Sequence, residues 1–287
     1  MTADLPVAGV DLGGTHCRCI LANGPADVRD EVRFPTTSPD ETLERIAETF
    51  ASWKMAAIGI GSFGPLEFAS GTVRGTPKPG WSGVVLRARF DEFAVPLSID
   101  TDVNAAALGE RRWGAGQGLD EMVYITVGTG IGVGTLIGGR PIHGLGHSEA
   151  GHLRVARLAG DDWPGNCAVH GDCVEGLAAG PAIGARLARG DQEAAVWESV
   201  AHALAMLAHN LVLTVAPRRI IIGGGVASGN PWLHDIVRQL LLESLAGYPP
   251  SDRIAADPGF ICPPALGDRA GSLGAVALAL GAIGKDK

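Results

Sequence analysis

The sequence predicts an α/β protein in which one supersecondary unit occurs twice. Two observations carry this. A strand, a tight glycine turn and a second strand occupy residues 7–22, and the same unit recurs at 122–137. Apolar runs of strand length then alternate with stretches of helical spacing, the pattern of sheets covered by helices.

Taken in order, Val7 to Asp11 is a short apolar run ending in the turn Gly13-Gly14-Thr15, and Cys17 to Ala22 resumes an extended pattern. Residues 39–53 have helical spacing, with Leu43, Ile46, Ala47 and Phe50 on one face. Residues 56–61 read as a buried strand, 65–81 as loop, 97–100 as a strand and 103–113 as a helix. Met122 to Val127 is a strand that enters Gly128-Thr129-Gly130, and 131–137 is its return. Helices follow at about residues 174–189, 192–216 and 231–246, with a strand at 219–222 before Gly223-Gly224-Gly225 and a terminal helix over 270–283. The duplication is of one supersecondary unit and not a solenoid repeat. A boundary is expected near residues 112–120. It gives a small α/β lobe over 1–114, onto which a C-terminal helix at 270–287 packs back, and a large lobe over 115–269.

Composition narrows the function. Of 287 residues, 46% are hydrophobic and 19% charged, as in ordinary globular proteins. The net charge is −8 and no Lys/Arg run exceeds two residues, which excludes an electrostatic footprint for nucleic acid. Residues 1–6 lack a basic stretch followed by an apolar one, so no signal peptide is expected. The richest apolar run, 201–215, is interrupted by His209 and Asn210, so no membrane span is expected. The five cysteines are an odd number and form no disulfide framework. Cys17, Cys19 and Cys262 read as buried or reduced thiols, and the protein as cytoplasmic.

The densest chemistry lies between Gly151 and Glu175. His152, Cys167, His170 and Cys173 supply four soft or borderline ligands, the number a closed tetrahedral zinc site takes. Two thiolates and two neutral imidazoles leave such a site without net charge. Glu149 and Glu175 flank it, so a structural zinc would rigidify the loop and aim both carboxylates. The alternative is a Cys/His cluster that holds no metal.

Three glycine loops could receive phosphates or nucleotide: Asp11-Leu-Gly13-Gly14-Thr15, Gly128-Thr129-Gly130-Ile-Gly132 and Gly223-Gly224-Gly225. Amides of a tight turn converge on anionic oxygens, and glycine permits close approach. Asp11 at a strand end suits Mg²⁺. Each loop alone is also a plain hairpin turn. Gly59-Ile-Gly61-Ser-Phe-Gly64 matches a dinucleotide fingerprint, but Pro65 follows and no helix opens there. No P-loop sequence occurs.

Asp102 stands where a helix begins, an N-cap position. It either caps or accepts the proton of an attacking hydroxyl, and Asp100 competes for the second role.

Together these motifs resemble the ROK family of sugar kinases (repressor, open reading frame, kinase), within the actin-like ATPase superfamily. The similarity runs over nearly the whole chain. Ser62-Phe-Gly-Pro65, Thr76-Pro-Lys-Pro-Gly-Trp81, Asp100 to Glu110 and Cys167-x-x-His170-Gly-x-Cys173-x-Glu175 are similar to the fructokinases of that family. Glucokinase-type members usually carry Asn-Asp at Thr101-Asp102 and Cys-x-Cys at Cys167-x-x-His170. Ser148, where proline is common, and His16, where lysine is common, depart from the pattern.

The resemblance implies a two-lobed actin-like ATPase (ribonuclease H-like) fold with a cleft between lobes and a structural zinc loop. It implies ATP, Mg²⁺ and structural Zn²⁺ as cofactors, a sugar as substrate, and a homodimer. Asp102 becomes the base, and His152, Cys167, His170 and Cys173 the zinc set. Gly64, Thr101, Asp102, Glu149, His152 and Glu175 would face the sugar, with His152 serving sugar and zinc together. Asp11, Gly13, Gly14, Thr15, Gly128, Thr129, Gly130, Gly223, Gly224 and Gly225 would hold MgATP. The expected activity is transfer of phosphate to the 6-hydroxyl of D-fructose. The alternatives are a broader hexokinase acting on mannose or glucose and a catalytically silent sugar-binding member. A repressor of the same family would need a DNA-binding module of about sixty residues ahead of the first strand, and that strand begins by Val7.

Overall fold

A computed structural model describes residues 5–285. Residues 1–4 and 286–287, which belong to the expected start of the small lobe and the end of its C-terminal helix, lie outside the described residues. The chain divides into two compact units. Among the described residues, one holds 5–118, 139–147 and 265–285, and the other holds 119–138 and 148–264.

The first unit carries β1 (Val7–Leu12), β2 (His16–Gly24), β3 (Asp27–Pro35), α1 (Pro39–Ala51) and β4 (Ile58–Ser62). It continues with β5 (Leu66–Glu67), β6 (Thr72–Val73), α2 (Leu86–Phe90), β7 (Leu97–Thr101) and α3 (Asp102–Trp113). The second unit opens with β8 (Met122–Val127) and β9 (Ile131–Ile137), after which β10 (Arg140–Pro141) belongs to the first. The second unit resumes with α4 (Val174–Ala178), α5 (Gly180–Arg189), α6 (Glu193–Val215) and β11 (Ile220–Gly223). Then come α7 (Gly225–Gly229), α8 (Leu233–Leu245), α9 (Ser251–Ala256) and β12 (Ile261–Cys262), and α10 (Ala270–Ala282) returns to the first unit.

Both units use one sheet plan. In the first, strand order is β3-β2-β1-β4-β7, with β1 antiparallel to β2 and parallel to β4, and β4 parallel to β7. In the second, β9-β8-β11-β12 repeats it, with β8 antiparallel to β9 and parallel to β11, and β11 parallel to β12. The recurring strand–glycine–strand unit of the sequence is therefore the same hairpin placed at the same position of two sheets. The register pairs Leu12 with Ser62 and Ser62 with Thr101, so β1, β4 and β7 end level. Carboxyl ends of parallel strands are where α/β folds bind ligands.

α10 is buried along most of its length and packs on β1, β4 and α3. Glycine makes this approach possible. A Cβ on Gly59 would lie 2.0 Å from the Ala275 carbonyl oxygen, and one on Gly274 would lie 1.9 Å from that of Ala105. The short elements β5, β6, α2, α9 and β12 were not expected from the sequence, and two larger departures have clear physical reasons. β3 was not expected, because its mostly exposed, charged residues give little apolar signal; it is an edge strand, where charge guards against mispairing. The single helix expected over 174–189 is two, broken at Ala179, which is extended at φ −71°, ψ 158°. Pro181 lacks the N–H that a continuous helix requires and would clash one turn back.

Residues 115–118, 139–147 and 265–269, placed in the large lobe by the expected boundaries, group with the first unit. Hydrogen bonds give the reason. The fully buried Glu110 carboxylate accepts the N–H groups of Ala115 at 2.7 Å, Ala265 at 3.1 Å and Leu266 at 2.8 Å. His147 and His143, described below, fix the 139–147 segment to the same unit. α6, 23 residues long, matches the helix expected over about 192–216 and is apolar enough by composition to cross a membrane. Its Val196, Val200, Leu204, Leu207 and Leu211 are buried in the core of the second unit. None of the five cysteines forms a disulfide; Cys17 and Cys19 are fully buried and Cys262 is half-buried.

Candidate active site and metal cluster

The turn between β1 and β2 turns its carbonyls inward. The Thr36 hydroxyl donates to the Gly13 oxygen at 2.7 Å, the Thr36 N–H to the Thr15 oxygen at 2.9 Å, and the Lys78 ammonium to the Gly14 oxygen at 2.7 Å. The Gly13 N–H is used by the His16 oxygen at 3.1 Å. The N–H groups of Gly14 and Thr15, both exposed, meet no acceptor among the described residues. An outward pair of adjacent amides is an anion cradle. Asp11 lies two residues before the turn, half-buried. Burial first, and the neighbouring Asp102 charge second, push its carboxyl up to about 7. A buried carboxylate with a second one close by fits a hard divalent cation.

The junction of β7 and α3 separates the two candidate bases. Asp100 is buried and fully engaged. Its Oδ1 accepts the Thr101 N–H and the Asn104 side-chain amide, each at 2.7 Å, and its Oδ2 faces His143 Nε2 at 3.0 Å. The N-cap of α3 is Thr101, not Asp102 as the sequence suggested: Thr101 Oγ1 accepts the Asn104 N–H at 3.2 Å. A threonine hydroxyl reaches the third helical amide as well as a carboxylate does. Asp102 is thus the first helical residue and accepts the Val103 N–H at 2.8 Å through Oδ1. Gly64 lies against His147, whose Nε2 accepts the Leu66 N–H at 3.0 Å. Phe68 stacks on the His143 ring with centroids 4.1 Å apart.

The second unit repeats the cradle. The Gly128 oxygen accepts the Gly180 N–H at 2.8 Å, and the Gly128 N–H donates to the Gly130 oxygen at 2.9 Å. The N–H groups of Thr129 and Gly130 meet no acceptor among the described residues. Gly224 adopts φ +88°, and its α-carbon lies against Val127, so Gly223-Gly224-Gly225 turns beside the same loop.

His152, Cys167, His170 and Cys173 converge as the spacing predicts, with all four ligand atoms within 4.8 Å of one another. Cys173 Sγ lies 3.5 Å and Cys167 Sγ 3.7 Å from His152 Nδ1, and Cys167 Sγ lies 3.8 Å from His170 Nδ1. Zinc at about 2.3 Å from sulfur and about 2.0 Å from nitrogen makes a tetrahedral S···N edge of about 3.5 Å. The donor set and its spacing therefore fit zinc in a closed, structural site. Burial foremost pushes the Cys173 thiol up to about 11, so metal binding there displaces a proton.

Glu175, two residues after Cys173, reaches from α4 to the second cradle. Its Oε2 accepts the Ile131 N–H at 3.1 Å, and its Oε1 stands 4.0 Å from His152 Nδ1. A Cβ on Gly130 would come within 2.7 Å of that carboxylate. Glu149 is exposed just before the turn Ala150–His152. Behind the cluster, buried Asp161 holds Arg186 at 2.9 Å and Ser199 at 2.6 Å, and the Trp163 indole donates to the Gly176 oxygen at 3.0 Å.

Sequence reasoning missed Thr36, Asn104, His143 and His147. Thr36 carries no signal of its own. Asn104 was visible as the residue four after Asp100, one helical turn on.

The ROK family profile matches residues 7–282. The chain is 40% identical to a fructokinase of Zymomonas mobilis, covering 96% of this chain and 97% of that one. It is 35% identical to a fructokinase of Pediococcus pentosaceus, covering 96% and 98%. A ROK family glucokinase from Streptomyces griseus, solved with glucose and AMPPNP, is 25% identical with a TM-score of 0.77, covering 96% and 99%. The paired sheets, their glycine hairpins and these similarities agree: the chain has the actin-like ATPase fold of the ROK sugar kinases and belongs to the ROK family.

Proposed function

We propose that this protein is a fructokinase that transfers the γ-phosphoryl group of MgATP to the 6-hydroxyl of D-fructose. The observation that carries the kinase reading is the pair of hairpin cradles, each with two adjacent amides that meet no acceptor among the described residues. The identity to fructokinases of Z. mobilis and P. pentosaceus supports fructose as the sugar.

In the first unit, Asp102 accepts the proton of the 6-hydroxyl as that oxygen attacks. The new O6–P bond forms while the bond from phosphorus to the β,γ-bridging oxygen breaks, and ADP leaves with that electron pair. Asp102 is favoured over Asp100 because the Asp100 carboxylate is already spent on Thr101, Asn104 and His143. Gly64 and Thr101 line the sugar here, and Gly13, Gly14 and Thr15 receive phosphate oxygens. Mg²⁺, when bound at Asp11, neutralises phosphate charge.

In the second unit, Gly128, Thr129 and Gly130 receive phosphate oxygens, and Gly223, Gly224 and Gly225 the adenosine side. Glu149, His152 and Glu175 bond sugar hydroxyls. His152 turns Nδ1 to the cluster, which leaves Nε2 for the sugar. A site that satisfies several hydroxyls rejects analogues lacking them, because its own polar groups would stay unpaired. Zinc on His152, Cys167, His170 and Cys173 supplies rigidity and no reacting group. The reading extends to a cytoplasmic homodimer.

An ADP-release assay with MgATP against D-fructose, D-mannose, D-glucose and N-acetylated hexosamines tests this. Strong turnover on fructose, lost by ~10²-fold or more in Asp102→Asn, is the expected result. Preference for mannose or glucose would replace fructokinase with a broader hexokinase. No turnover on any sugar by folded protein would sink the reading.

A further inference from the structure

We propose that His234 is a positioning residue for the nucleotide side of the second unit: its Nε2–H holds the Ile222 carbonyl and so sets where Gly223, Gly224 and Gly225 stand. The proposal rests on the kinase reading above, in which those glycines receive the adenosine side, and adds a residue to it.

Glycines have no side chain to steer them, so a glycine turn stands where its two ends are anchored. One end is β11, which lies between β8 and β12 in the sheet. The other is His234, buried near the start of α8. Its Nε2 lies 2.8 Å from the oxygen of Ile222, the residue just before Gly223, and its Nδ1 lies 2.9 Å from the Pro231 oxygen. A carbonyl oxygen has no proton to give, so a ring nitrogen bonded to one must carry the proton. Ile222 is buried, whereas Pro231 is exposed and within reach of water. The proton on Nε2 is therefore the one the fold needs. A ring protonated at Nε2 alone or on both nitrogens keeps the Ile222 bond, and one protonated at Nδ1 alone loses it.

That bond closes residues 222–234 into a ring of chain with the three glycines inside it. Within the ring, the Ser228 N–H donates to the Gly224 oxygen at 2.9 Å, the Asn230 side-chain amide to the Val226 oxygen at 2.9 Å and the Leu233 N–H to the Asn230 oxygen at 3.0 Å. β8 bears on the turn as well. A Cβ on Gly223 would clash with the Tyr124 hydroxyl, and one on Gly224, at φ +88°, with the Val127 backbone. A turn packed this closely has no slack, so an anchor lost at Ile222 is felt at the glycines. Packing alone does not call for a histidine there. An apolar side chain at 234 would extend the buried stripe of Leu233, Val237, Leu241 and Leu245. A polar ring in that place loses its hydration, and the two carbonyl oxygens offset the loss. Among the described residues the ring bonds these oxygens and no carboxylate.

Two substitutions separate the ring's nitrogens. The Gln side-chain amide reaches the place of Nε2, and the Asn amide that of Nδ1. By calorimetry with Mg-AMPPNP, His234→Gln is expected to bind within about twofold of wild type and His234→Asn about fivefold or more weaker, the loss of one hydrogen bond. The KM for fructose should stay within about twofold of wild type in both, a split that a general loosening of the fold would not give. In nitrogen-15-labelled wild-type protein, the His234 Nε2 resonance, identified by its absence from His234→Gln, should show a directly bonded proton and should move when Mg-AMPPNP is added. Nucleotide affinity within about twofold of wild type in His234→Asn, or equal losses in the two variants, overturns the proposal. So does a His234 ring protonated at Nδ1 alone. If His234→Asn does not fold, the wild-type resonance decides: no movement on adding Mg-AMPPNP makes His234 a tether of the core and nothing more. Wild-type protein that binds Mg-AMPPNP but releases no ADP with any sugar would instead fail the kinase reading, because neither the affinity nor the resonance depends on turnover.

Discussion

Glu175 Oε2 accepts the Ile131 N–H at 3.1 Å, and this one bond ties the metal cluster to the second cradle. Cys173 caps α4 and Glu175 lies in its first turn, so whatever fixes the Cys173 sulfur also fixes the carboxylate. Under the proposed function, the loop tied in this way is the one that would receive phosphate oxygens.

Replacing Glu175 should separate its two contacts. Glu175→Gln keeps a carbonyl for the Ile131 N–H, so the KM for MgATP should stay near wild type while that for fructose rises. Glu175→Ala strands the amide, and a lost hydrogen bond of about 1 kcal/mol should raise the KM for MgATP by roughly fivefold as well. Steady-state kinetics of the pair checks this; equal MgATP constants in both variants would dissociate Glu175 from the loop.

Removing the metal should soften the second unit. Elemental analysis of the purified protein should find zinc near one per chain. Cys167→Ser should lose it and should melt several degrees lower, a typical consequence of deleting a structural site. A chelator should release zinc and turnover together. Protein that carries no zinc and melts unchanged in Cys167→Ser would leave a metal-free Cys/His cluster.

Gly274→Ala should unfold the first unit's packing. Its new Cβ would sit 1.9 Å from the Ala105 oxygen, a backbone atom that cannot rotate away. Overpacking of this kind costs about 3 kcal/mol or more, visible as a lower urea midpoint. Gly225→Ala, where a Cβ meets nothing within 4 Å, is the control and should stay within about 0.5 kcal/mol of wild type.

Asp161 predicts a pH dependence. Burial alone would raise its carboxyl, but the Ser199 hydroxyl and the Arg186 guanidinium outweigh it and hold it below the usual carboxylate range. A depressed carboxylate stabilises the native state above its unfolded value of about 3.9 and loses that contribution as pH falls through the lower folded value. Asp161→Asn should therefore be destabilised by about 3 kcal/mol at pH 7, the cost of breaking a buried pair, and the gap to wild type should narrow below about pH 4. Urea titrations at pH 7 and pH 3 measure it; a constant gap would remove the charge from the account.

What the sequence by itself determined is local. The hairpins at 7–22 and 122–137 lie in contiguous apolar runs broken by glycine, and their pairing needs no distant partner. The metal set was legible for a similar reason: three of its four ligands share seven residues, and few side chains can serve a soft cation. Asp102 was legible as a helix-start aspartate, though the cap is Thr101, whose hydroxyl one residue earlier accepts the Asn104 N–H.

Tertiary structure alone decided which groups around those motifs remain free. Lys78 reaches Gly14 across 64 residues, and Leu66 meets His147 across 81. Each is a side chain meeting a backbone atom, an arrangement with no periodicity and no fixed spacing to read. The engagement of the Asp100 carboxylate by Thr101, Asn104 and His143 is visible only in the fold, and so are the cradle amides that meet no acceptor among the described residues. Hydrogen-bond saturation is a property of the folded neighbourhood, so only the fold could show it.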